Sequence, residues 1–133
     1  MTNNVNVTLD TSVTPPALRV HDHGHIKVGK KANPQTITWN LTGNLAQGEF
    51  VPMSAPEPGF EWVSSPPPPA VIFGTPTIGS NGNSLSICDN HADRTTDGRW
   101  TYRLRVSIDG AVYSTIADAG ITNTSKNPII IND

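Results

Sequence analysis

Hydrophobic and polar residues alternate through much of this chain, and the period is two rather than 3.6. Val5, Val7 and Leu9 share one phase near the start, with Asn6 and Thr8 on the other. Thr14-Pro15-Pro16 breaks that segment, and Ala17–Val20 and His25–Val28 form two further extended stretches. After the turn Gly29–Pro34, the run Gln35–Leu41 buries Ile37, Trp39 and Leu41, and Gly43-Asn44 closes it. Ser84–Cys88 predicts another strand. The longest pattern is Arg99–Ile108, which sets Trp100, Tyr102, Leu104, Val106 and Ile108 on one face. Asp109-Gly110 then predicts a two-residue type I′ turn, with Ala111–Ile116 returning antiparallel. No helical period occurs anywhere. About eight or nine short strands predict an all-β, antiparallel β-sandwich. The whole chain, 1–133, reads as one domain, with 128–133 as its C-terminal strand.

Between Gly48 and Gly74 seven prolines interrupt the pattern. Pro66–Pro69 must be extended polyproline II, and the lack of flanking basic residues favours a stiff crossover loop over a recognition motif. Trp39 and Trp100 fall in the apolar phase of their strands, so core packing outweighs a sugar-stacking platform. Trp62, in the irregular region, is the one tryptophan expected to be exposed.

Composition narrows the functional classes. Only 15% of residues are charged and the formal net charge is −2, with no basic run to attract nucleic acid or an anionic membrane. The opening MTNNVNVTLD has neither the basic nor the apolar stretch of a secretory signal, and no apolar run is long enough to span a bilayer. A cytoplasmic location is therefore expected. Cys88 is the single cysteine; its place beside Leu85 and Ile87 predicts a buried structural thiol.

Candidate chemistry is sparse. His21, His23 and His25 would share one face of an extended segment, and two or three such imidazoles can hold Zn²⁺ or Ni²⁺, with His91 or an acid completing the shell. The alternative is a polar strand–turn junction, and no cofactor is expected. The run Asp89–Gly98 has three acids but lacks calcium-loop spacing, which leaves a solvated hairpin loop. Neither a nucleophile elbow nor a phosphate loop is present. The segment Ile121–Asp133 carries more information: a polar turn, the Asn127–Pro128 bond, and the β-branched run Ile129–Ile131. Pro128 must open a strand or sit at an edge. A terminal strand that completes a sheet accounts for this pattern. So does one that fixes the Asn127–Pro128 bond for self-processing.

Seven stretches carry a family resemblance: Asp22–Val28 (DHGHIKV), Asn33–Asn44, Pro58–Trp62, Ile72–Pro76, Gly98–Val106, Gly110–Thr115 and Asn127–Ile130. Together they resemble the small bacterial DUF1888, or DP-EP, family. The resemblance implies an immunoglobulin-like sandwich that cuts itself before a proline near its C-terminus and self-assembles. It places the scissile bond at Asn127–Pro128. Asp118, just past the hairpin and close in sequence, is the first candidate for an activating carboxyl, with Asp89 and Glu61 behind it. Two positions depart from the family pattern. Asn127 stands where the family has Asp, and Arg103 and Arg105 occupy the strand where the family has a lysine that captures the new carboxyl. The rival reading is a non-catalytic sandwich that binds or self-associates through exposed edge strands.

Overall fold

The computed structural model describes residues 2–12, 16–20, 25–64, 66–115 and 128–133. Among the described residues eleven strands follow in order: β1 (Thr2–Asp10), β2 (Ala17–Val20), β3 (His25–Val28), β4 (Gln35–Leu41), β5 (Glu49–Phe50), β6 (Phe60–Trp62), β7 (Thr77–Ile78), β8 (Ser84–Asp89), β9 (Gly98–Ile108), β10 (Ala111–Ser114) and β11 (Ile129–Asn132). They form two sheets. One runs β2-β1-β4-β8-β7; in the other, β9 pairs with β10, β11, β5 and β6, and β11 pairs in turn with β3.

The all-β sandwich agrees with the alternation in the sequence, but both sheets are mixed. β1 pairs parallel with β4, and β11 pairs parallel with β3. These two pairings depart from a fully antiparallel sandwich, and their cause is topological. The chain passes from one sheet at Val20 to the other at His25, so β2 and β3 are not neighbours, and β1 and β3 gain partners from later in the chain. Parallel neighbours require such crossovers.

The two sheets bury a shared core between them. Trp39, Ile37, Leu85 and Val7 from the first sheet face Tyr102, Leu104, Val106 and Ile130 from the second, all fully buried. Trp39 also donates through Nε1 to the Tyr102 hydroxyl at 3.0 Å, so each buried polar tip satisfies the other. An aromatic chain extends from this bond: Phe60 stacks on Tyr102 with centroids 5.5 Å apart, Trp62 meets Phe60 edge-on, and Phe73 bridges Trp62 and Trp100. Trp62 is therefore half-buried and packed, not the exposed ring expected from its Pro-rich surroundings. Cys88 is also corrected. It lies on the phase opposite Leu85 and Ile87 and is half-buried on the outer side of β8.

The β9–β10 hairpin forms as the sequence predicts, with Asp109 and Gly110 at φ 51° and 81° as a type I′ turn requires. Successive residues of β9 point their backbone groups to opposite edges. Arg105 and Thr101 bond the segment containing β5 and β6. Tyr102 and Leu104 point the other way, toward Pro128 and Thr115. β10 and β11 thus lie end to end along one edge of β9.

Candidate functional site at the C-terminal strand

Pro128 opens β11, as its missing N–H demands. It is buried, and its carbonyl accepts from the Tyr102 amide at 3.0 Å. Ile129, Ile130, Ile131 and Asn132 then pair with Thr101, Trp100, Arg99 and Gly98 on one side and with His25, Ile26, Lys27 and Val28 on the other. Ile130 is fully enclosed by the core. At the end of this ladder Gly98 lets the Trp100 ring lie over the backbone; a Cβ there would be 2.6 Å from that ring and would push it aside.

A buried polar cluster closes the far end of the strand. The Asn132 amide donates to Asp89 Oδ1 and to the Thr96 carbonyl, both at 3.1 Å. His91 Nε2 donates to the Asp133 main-chain carbonyl at 3.0 Å, and the Asp133 amide bonds the Val28 carbonyl at 3.1 Å. Because Nε2 faces an acceptor, it carries a proton; Nδ1 lies 2.7 Å from the Thr96 hydroxyl, which itself donates to the Asp93 carbonyl at 3.0 Å. Asp97 reaches His91 Nε2 at 3.5 Å and Lys30 at 3.1 Å, forming the solvent-facing rim.

Asp89 and His91 are both buried, at 0% and 1% exposure. Burial pushes the Asp89 carboxyl up to about 6, against smaller opposing effects of the Asn132 hydrogen bond and the His91 charge. Asp89 Oδ2 and Asn132 Oδ1 have no hydrogen-bond partner among the described residues. The Asp89–Gly98 run, expected to be a solvated loop, instead sends its first and third residues into the interior. A single helical turn, Arg94–Thr96, capped by the Asp93 carboxylate on the Thr95 amide at 2.9 Å, supplies the exposed remainder.

Of the residues singled out at Asn127–Pro128, the structure describes Pro128; Asn127 and Asp118 lie outside the described residues, as do His21 and His23. His25 is exposed on β3, opposite Ile129. Among the described residues no group of three metal-ligating side chains occurs. Asp89 is gathered to Asn132, four residues beyond Pro128 and thus about 13 Å along the strand, so it serves the far end of β11. Glu61 is engaged by Arg105 at 2.9 Å, on the opposite edge of β9 from β11. Arg105, the other replacement for the family lysine, is buried and also bonds the Pro58 carbonyl at 3.1 Å.

No helix among the described residues is long and apolar enough to cross a membrane. No family model matches this chain, and no curated protein sequence matches it either.

Proposed function

We propose that this protein processes itself at Asn127–Pro128 and keeps residues 128–133 in the sheet after the cut. The observation that carries this reading is the seating of β11 between β9 and β3, with Pro128 buried at one end and Asn132 clamped at the other. The C-terminal side of the bond is thereby immobilised. Orientation of that kind lowers the entropic part of a hydrolytic barrier.

Two balanced routes are available. In hydrolysis, water adds to the Asn127 carbonyl carbon, the C–N bond breaks, and the Pro128 nitrogen leaves as a secondary amine after taking a proton. Asp118 is the acid–base group this route calls for. In the second route the Asn127 side-chain amide nitrogen attacks its own main-chain carbonyl. A succinimide forms, one proton passes to the departing Pro128 nitrogen, and water later opens the ring. Timed intact-mass measurement under denaturing conditions tests the reading. A species lacking Pro128–Asp133 accumulates, Asn127→Asp accelerates it, and Asp118→Asn slows it at least tenfold. An unchanged full-length mass in both the native chain and Asn127→Asp refutes self-processing.

Self-association is a second reading. It is favoured by the edges of β9 and β3 that β11 covers, which would be open to a neighbour's strand if β11 left them.

A further inference from the structure

Everything that seats β11 is specific. The Tyr102 amide takes the Pro128 carbonyl, the core encloses Ile130, Asp89 and the Thr96 carbonyl both accept from the Asn132 amide, and His91 takes the Asp133 carbonyl. Backbone pairing on both sides supplies affinity, while Ile130 and Asn132 supply selection. These are the two elements of strand-addition recognition. The space between β9 and β3 is thus a slot for an extended peptide with a β-branched residue two positions before an asparagine.

The register along β9 adds a second observation. Thr115 exchanges bonds with Leu104, and Pro128 lies opposite Tyr102, so one residue would join β10 to β11 as a continuous strand. The sequence supplies twelve, 116–127. A dozen residues reach on the order of 40 Å when extended, far more than the gap between adjacent register positions.

Resting on the self-association reading, we propose that the slot between β9 and β3 accepts residues 128–133 of a second copy of this chain, so that two copies exchange β11 reciprocally. Every contact of the intramolecular strand is reproduced between copies, and the two-fold arrangement closes on itself. The occupant is the chain's own C-terminal segment because Asn132 and the Asp133 carbonyl meet dedicated buried partners in Asp89, Thr96 and His91.

Complementary cysteine pairing tests this. Thr101 directs its backbone amide and carbonyl to Ser64 and Val63 on the far edge, so Thr101 and Ile129 form a non-hydrogen-bonded pair. Such pairs have Cα atoms about 4.5 Å apart, within disulfide range. In a Cys88→Ser background, full-length Thr101→Cys and Ile129→Cys chains are refolded together and oxidised. A reducible disulfide-linked heterodimer is expected from the mixture and from neither chain alone. If Asn127–Pro128 is also cut, the Thr101→Cys chain gains the mass of six residues instead of a whole chain, so exchange and processing are read separately. A chain carrying both cysteines closes the same disulfide, within one chain where β11 stays at home and between two chains where it is exchanged, which confirms the geometry. An internal disulfide there with no cross-linked product from the mixture overturns the proposal. Should the substituted chains fail to fold, native mass spectrometry of refolded ¹⁵N-labelled and unlabelled native chain decides. A dimer of intermediate mass that is lost when residues 116–126 are deleted, which ties β11 to β10, supports exchange; no dimer, or one that survives the deletion, overturns it.

Discussion

Asp89 occupies the apolar phase of its strand, in step with Leu85 and Ile87, and this phase was readable in the sequence. It was obscured because Asp89 also opens a polar run, and composition outweighed periodicity. Its burial has a pH consequence. The folded-state carboxyl titrates near 6, above the ordinary 3.8, so the folded chain binds the extra proton between those values. Asp89 therefore contributes stability that is fully present below about 3.8 and is lost as pH rises through about 6. The groups facing it or its imidazole neighbour are His91, Asp97, Asp93 and Lys30. Asp89→Asn should flatten the stability profile between pH 4 and 7 by up to about 3 kcal/mol, measured by urea unfolding at each pH. A profile identical to the native one would place the charge elsewhere. Asn132→Ala removes the amide that serves Asp89 and Thr96 and should cost about 1–3 kcal/mol at pH 7. Asn132 was hidden from sequence reading, because its partners lie 43 and 36 positions away.

At the scale of elements, the β9–β10 hairpin and β4 were legible because alternation and turn chemistry are local. β5 and β6 were not: two or three residues between prolines cannot display a period, and their pairing is imposed by β9. The parallel pairs β1–β4 and β11–β3 were equally hidden, since no turn links their members. Trp62 was misjudged for the same reason; its packing comes from β6 docking on β9. The end-to-end placement of β10 and β11 makes an element-scale prediction. Deleting 116–126 would join Thr115 to Asn127 and make the two strands continuous along β9. The shortened chain should fold with a stability equal to or above that of the native chain, by denaturant titration, because closing a shorter loop costs less entropy. Two-state unfolding lost on deletion would contradict the shared register.

For the molecule as a whole, the C-terminal segment was the most informative part of the sequence, and the structure gives its residues 128–132 a central position: largely buried, flanked on both sides and clamped at the far end. The fold class was legible because it depends on alternation summed over the chain. The polar cluster was only partly so, because it is assembled from β8, the turn after it and β11. A cut before Pro128, as proposed, would leave every described contact of β11 intact. Paired mass spectrometry of one aged sample tests it most directly. The account predicts two species under denaturing conditions, residues 1–127 and the peptide 128–133, and a single full-complement mass under native conditions. A full-length chain under denaturing conditions contradicts self-processing. Loss of the peptide under native conditions contradicts the retention that β11 was argued to provide.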